Sequence, residues 1–348
     1  MNGALVRTRT TLRGPTMGRV VNVLSLIALV IILGVAGQKI AVRGLPFFVQ
    51  ILAYGVADGA IYALVALGYT MVYGIIELIN FAHGDVFTLG AFFSLALMPA
   101  FGLAEGRSQG LGLVLPMLGL FLVTMALCGA VNVAIERVAY RPLRGAPRLA
   151  PLITAIGMSS ILEGLMFMWR GPFNLHYPNL LPDARIALGG GASVGLKDAL
   201  VILVAVLLVI GLSAFINGSK LGKAMRATAQ DRDAAQLMGI DINLTIATTF
   251  FIGALLAGAG GIIYGLYFNN VDAFLGFTAG LIAFTAAVFG GIGNIPGAAL
   301  GGLAIGIVKS FSDAYFDSAW TEVFVFAILI VVLVFRPTGL LGMRVPEK

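Results

Sequence analysis

Long apolar runs separated by short polar stretches dominate this chain. Most of those runs show neither the strict alternation of a half-buried strand nor the one-sided stripe of a surface helix. A helix that crosses a bilayer needs about 20 mainly apolar residues, because the hydrocarbon core is roughly 30 Å thick and each residue rises about 1.5 Å. The runs that meet or approach this length are Val20 to Ala36, Phe47 to Ile76, Val86 to Phe101, Leu111 to Ile135, Leu149 to Trp169, Ala199 to Ile216, Ile246 to Tyr267, Gly276 to Gly291, Gly297 to Phe311 and Trp320 to Phe335. They predict an all-α, polytopic transmembrane helical bundle of about ten membrane segments, forming one domain over residues 1–348. The segments starting at Val86, Gly276 and Gly297 are short and rich in Gly or Pro, which points to broken or re-entrant helices and leaves eight full spans as the alternative.

Composition agrees with a lipid environment: 59% of the 348 residues are hydrophobic and 11% charged, too few to cover the molecule with polar surface in water. Charge distribution then supplies an orientation. In the ten-segment arrangement one side receives 15 Lys and Arg residues, from Arg7–Arg19, Arg137–Arg148, Lys220–Arg232 and Arg336–Lys348, against six on the other, with Lys309 near a helix end. Basic residues favour the cytoplasmic side of short loops, so both termini are expected there, with 1–19 as a basic cytoplasmic segment. Trp169 and Trp320 then fall at the outer interface. The same bias accounts for the net charge of +6 without nucleic acid. Val35-Ala36-Gly37 after the first apolar run resembles a signal-peptide cleavage site, but the long basic region and the many later spans favour an uncleaved first helix.

Polar residues inside such a chain are informative because each is expensive in lipid. Between two apolar runs lies GKAMRATAQDRDAAQLMGI (Gly222 to Ile240), in a polar loop over 218–243. At helical spacing Leu221, Ala224, Met225, Thr228 and Ala235 gather near one face, while Lys223, Arg226, Gln230 and Asp233 fall largely elsewhere, with Gly222 and Gly239 as flanks. Such a segment either docks an apolar ridge into a soluble partner or lies on lipid headgroups. ELINFAHGD (Glu77 to Asp85) puts two carboxylates, Asn80, His83 and Gly84 at a helix break beside Phe81. It is either a pathway or gate element, or a solvated cap of a helix beginning near Val86. Asp58, beside Gly59, marks a possible interruption of the 30-residue run, although a structural hydrogen bond explains it and Glu163 more simply. Gly290, Gly291 and Gly293 followed by Pro296 should break a helix, and Gly293 and Pro296 could therefore border a solute path.

The chain contains no G-x-x-x-x-G-K-[ST] phosphate loop, no H-E-x-x-H and no G-x-S-x-G, and its single cysteine, Cys128, sits in an apolar run. Neither nucleotide hydrolysis by that loop nor metal or hydrolytic chemistry is expected of it. Uphill transport would draw on another subunit or on an ion gradient.

Four separated stretches now carry a resemblance: IYALVALGYTMVYGIIELINFAHGDVFTLGAF, ERVAYRPLRGAPRLAPLITAIGMSSILE, the Gly222 to Ile240 segment, and FTAAVFGGIGNIPGAALGGLAIGIVKSF. In this order they strongly resemble the LivH-type permease of the branched-chain amino acid ABC transporters, from about residue 47 onward. The resemblance implies a permease subunit in the bacterial inner membrane, without cofactor or metal of its own. It would be paired with a LivM-type permease, two cytoplasmic ATPase subunits using ATP and Mg, and a periplasmic solute-binding protein. It also implies that Leu221, Gly222, Met225, Arg226, Thr228, Asp233 and Gly239 belong to a cytoplasmic coupling loop. Related permeases take urea, amides or other amino acids. An autonomous ion-coupled transporter or channel, driven through Asp58, Glu77 or Asp85, is the alternative of another class.

Overall fold

A computed structural model describes Gly37 and residues 43–103, 110–147, 149–189, 191–336 and 338–342. The expected first helix, Val20 to Ala36, and the basic segment 1–19 lie outside the described residues. The chain divides into two units between Val49 and Gln50, and all the geometry below belongs to the second.

Eleven helices are described: α1 (Leu45–Ile76), α2 (Ala82–Leu97), α3 (Val114–Ile135), α4 (Leu149–Arg170), α5 (Leu196–Gly218), α6 (Lys220–Gln230), α7 (Arg232–Leu237), α8 (Ile242–Phe268), α9 (Leu275–Gly290), α10 (Ile295–Tyr315) and α11 (Thr321–Phe335). Among the described residues, strand structure is confined to two small antiparallel pairs. One joins β1 (Leu175–His176) to β4 (Asn270–Val271), and the other joins β2 (Arg185–Gly189) to β3 (Ala192–Gly195). Eight helical stretches are long and apolar enough to cross a membrane. Of the three segments read as short, the first extends over Ala82–Phe101 and the last over Ile295–Tyr315, both of spanning length. Only α9, with 16 residues, remains short.

If each membrane helix reverses direction, the turns after α1, α9 and α11, the α3–α4 connection and the α6–α7 segment share one side. These are the turns that carry most of the described basic residues. The α4–α5 loop and the α8–α9 and α10–α11 turns share the other side, with Trp169 and Trp320.

Two helices begin away from the ends of those preceding them. α1 stops at Ile76, Glu77 turns left-handed at φ 55°, and an irregular segment leads to Ala82. There His83 packs on Gly68, a position roughly 12 Å back along α1 at 1.5 Å per residue. α9 likewise starts at Leu275, after β4 and a short turn. Its Gly276 lies against Asp85 and Thr88 of α2. Close approach is possible because both helices present glycine: a Cβ on Gly84 would stand 2.9 Å from the Gly280 Cα. The α4–α5 loop packs over these helices, where Tyr177 is fully buried, shares a hydrogen bond of 2.8 Å with Ser94 and packs its ring on Gly265.

Candidate functional site: a cleft beside the broken helix

The break predicted around Glu77 to Asp85 exists, but upstream of the expected place. Helix α2 begins at Ala82, so His83, Gly84 and Asp85 lie in its first turn and Asp85 does not cap a helix starting at Val86. His83 and Asp85 are fully buried, which removes the reading in which they are solvated at an interface; Glu77 alone of that set is exposed. Asn80 is buried and accepts a 2.6 Å hydrogen bond from the Tyr140 hydroxyl, tying the break to the end of α3. Phe81 packs beside Phe284 of α9, and Tyr69 meets the His83 ring edge-on at 5.0 Å.

Asp85 reaches across to α4, where Ser159 Oγ donates to its Oδ2 at 2.5 Å. The other oxygen, Oδ1, faces the first turn of α9: a Cβ on Gly276 would stand 2.7 Å away. A cleft of about 560 Å³ opens between α4 and α9 on the far side of Ser159. Its walls are Phe81, Ile156, Phe274, Phe277 and Leu281, and its polar groups are Ser159, Ser160, Glu163 and Thr278. Ser159 and Glu163 lie roughly 15 and 21 Å along α4, near the middle of a helix about 33 Å long. A face that carries Ser, Thr and Glu at mid-span is unsuited to hydrocarbon, in contrast to the exposed Leu and Ile of α3, α5 and α11. A structural hydrogen bond is the sequence-based expectation for Glu163. Instead Ser159 serves Asp85, and Glu163 lines the cleft. The signal available was the i, i+4 spacing of Ser159 and Glu163, which puts both on one helix face.

Asp58 belongs elsewhere. α1 runs unbroken through it, and its Oδ2 pairs with Lys309 Nζ of α10 at 2.8 Å; Asp313 stands 3.8 Å from the same ammonium. Gly55 and Gly59 bring α1 onto α10 around this pair. Asp58 is therefore neither at a helix interruption nor satisfied by backbone and hydroxyl groups, but is one half of an ion pair. Lys309, set aside as a helix-end residue, is its partner.

Gly293 and Pro296 do lie at a helix break, between α9 and α10, with Gly291 and Gly293 at φ 109° and 89°. Asn294 caps α10 by accepting from the Gly297 amide at 3.1 Å and donates to the Leu341 carbonyl at 2.7 Å. Both Gly293 and Pro296 are exposed at this turn, which closes on the C-terminal segment and does not border the cleft.

The 218–243 loop forms two helices. Ser219 caps α6 at the Gly222 amide (2.9 Å), and Asp231 caps α7 at the amides of Asp233 and Ala234 (both 3.0 Å). Gly222 lies against the end of α5, and the Arg226 guanidinium donates to the Ile216 carbonyl. Arg232 donates to the Ile75 carbonyl at the end of α1 at 3.0 Å. Most of the face predicted to present a docking ridge is turned inward: Met225 is 3% exposed and Thr228 is buried with it, while Leu221 is exposed. The outward apolar groups are Leu237 and Met238, 88% and 83% exposed, next to Asp233 and the left-handed Gly239 (φ 83°). Helical periodicity located an apolar face but could not say whether it met the chain's own helices or a partner.

Residues 51–333 match the family described as branched-chain amino acid transport system / permease component. Among individual relatives, the high-affinity branched-chain amino acid transport system permease protein BraD of Pseudomonas aeruginosa is 43% identical over 307 residues, covering 86% of this chain and 98% of its own length. LivH of Escherichia coli strain K12 is 41% identical over 306 residues, with 87% and 98% covered. A more distant relative is the probable LivM permease of Methanocaldococcus jannaschii, 26% identical over 210 residues, with 56% of this chain and 59% of that protein covered. With a family match across most of its length and relatives above 40% identity, this chain belongs to the permease components of branched-chain amino acid transport systems.

Proposed function

We infer that the chain is the membrane-spanning permease subunit of an ATP-driven importer for leucine, isoleucine and valine, seated in the bacterial cytoplasmic membrane with both termini inside. The cleft between α4 and α9 carries this reading. It combines aromatic and aliphatic walls with hydroxyls and a carboxylate at mid-span, and its volume lies within the roughly 300–1,000 Å³ typical of small-molecule sites. Such a surface accepts an apolar side chain without strong ligands, as a permease must if it is to release what it receives. Open toward the surface of the chain, the cleft would be completed by a second, LivM-type permease, so that the solute passes between two subunits.

Energy would come from two cytoplasmic ATPase subunits that hold ATP and Mg, and delivery from a periplasmic solute-binding protein. The exposed Leu237 and Met238, on a short helix anchored to α1 and α5 through Arg232 and α6, suit docking of an ATPase. Any displacement of α7 would reach the end of α1, and through it the break that precedes α2.

Co-expression with the candidate partners and reconstitution into vesicles tests the reading. Leucine uptake should require hydrolysable ATP and the binding protein, and should survive an uncoupler. Uptake by this chain alone, driven by an ion gradient, would instead establish the autonomous carrier.

A further inference from the structure

Two carboxylates lie near mid-span, Asp85 buried and Glu163 at the cleft, with no basic partner among the described residues. Asp85 is fully buried, and its Oδ1 accepts no hydrogen bond of ordinary geometry. Glu163, one helical turn from the Ser159 that holds Asp85, lines the cleft. Among the described residues neither acid has a basic partner, and Glu163 has no hydrogen bond either. The acid of α1 provides the contrast, since Asp58 holds Lys309 at 2.8 Å. An ionisable group at mid-membrane needs a compensating charge or a polar cavity. For Asp85 the compensation is visible in Ser159 and in two helix starts, its own and that of α9, whose partial positive ends face it. For Glu163 none is present among the described residues, and its carboxylate borders the cleft.

We propose that Glu163 is the binding residue for the solute's α-ammonium group, with Ser160 beside it and the Asp85–Ser159 pair behind it, while Ile156, Phe274, Phe277 and Leu281 receive the aliphatic side chain. This assignment rests on the importer reading above and specifies its chemistry. An ammonium has three N–H donors and one positive charge, which a carboxylate with an adjacent hydroxyl satisfies. The neutral and anionic analogues of the same carbon skeleton leave the carboxylate unpaired. The cleft therefore distinguishes amino acids from the corresponding hydroxy acids, independently of the delivering protein.

The test uses the assembled complex with its partner permease and ATPase subunits. A membrane-permeant carbodiimide reacts with accessible carboxyl groups, and its adduct on Glu163 is read by mass spectrometry. Saturating leucine should slow labelling of Glu163 at least threefold, and the hydroxy acid of the same skeleton should not. In parallel, Glu163→Gln should lower ATP-driven leucine uptake at least tenfold per assembled complex, with Glu163→Asp recovering part of it. Labelling that leucine leaves unchanged, or equal protection by the hydroxy acid, overturns the assignment. So does a Glu163 that never labels in the complex, which would mean that a basic residue of the second permease occupies it, and so does Glu163→Gln uptake within twofold of the parent. If the parent complex itself takes up no leucine, the importer reading fails instead.

Discussion

Asp58 and Glu163 are both carboxylates inside spanning helices, and the chain treats them in opposite ways. Asp58 lies between two helices brought close by glycine and is matched to Lys309, so its charge is spent on joining α1 to α10. Glu163 faces a cleft, with no charged partner among the described residues, on a surface that also carries two serines and a threonine. Rarity in the membrane made both suspicious from sequence, but burial and partnering separate a clamp from a candidate binding group. The same contrast recurs in the 218–243 loop, where Met225 points inward and Leu237 outward on neighbouring helices.

Breaking the clamp should give the largest loss of stability. Removing one partner of a buried ion pair strands the other and costs about 3–5 kcal/mol. Asp58→Asn should fall at the lower end because Lys309 keeps Asp313 nearby. Thermal unfolding in detergent should show a clear drop, with Asp58→Asn/Lys309→Met recovering much of it. Glu163→Gln, measured the same way, should be as stable as the parent or more so. A comparable loss there would erase the distinction.

Met225→Asp should come next, since an unpaired carboxylate would be forced among the chain's own helices. Its expected outcome is reduced membrane abundance. Leu237→Asp should leave abundance intact and weaken co-purification of the ATPase, because that side chain already stands in solvent. If Met225→Asp were abundant and lost only the ATPase, the inward placement of α6 would be contradicted.

A smaller effect, about 1–3 kcal/mol for overpacking, is expected from Gly68→Ala, whose Cβ would stand 2.5 Å from the His83 ring carbon Cε1. Adding His83→Ala should restore stability if the clash is the cause. A double variant as unstable as Gly68→Ala would place the strain elsewhere.

These residues also show what could be read from sequence and what could not. Apolar run length is a local property set by bilayer thickness, so nine of the ten predicted segments are found as helices and the tenth lies outside the described residues. The start of α2 was misplaced by four residues because Asp85 has the composition of a cap, while its partner Ser159 lies 74 positions away. Pairings such as Asp58 with Lys309 depend on which helices touch, and periodicity carries no such information. The cleft escaped notice for the same reason: its walls come from α4, α9 and Phe81, and become a site only when folded together.

The smallest effect should come from the pair formed by exposed Asp183 of the α4–α5 loop and partly buried Lys197 at the start of α5, 2.7 Å apart. Hydrogen bonds from Lys197 and Asn179 hold the Asp183 carboxyl below the usual carboxylate range. A lowered folded-state value means that any stabilisation is present above the unfolded carboxyl's pKa and disappears as pH falls through the folded one. At an exposed position it is screened, so Asp183→Asn should leave thermal unfolding at pH 7 indistinguishable from the parent. A measurable drop would show that exposed and buried pairs differ less here than their surroundings suggest.

The central claim, that solute passes through the α4–α9 cleft, is tested most directly by Thr278→Cys in a Cys128→Ala background, assembled with its partners. A hydrophilic, impermeant thiol reagent should modify position 278, leucine should slow that modification, and the modified complex should lose ATP-driven leucine uptake. Modification only by lipid-soluble reagents, with uptake intact afterwards, would mean that this face meets lipid and that the pathway runs elsewhere.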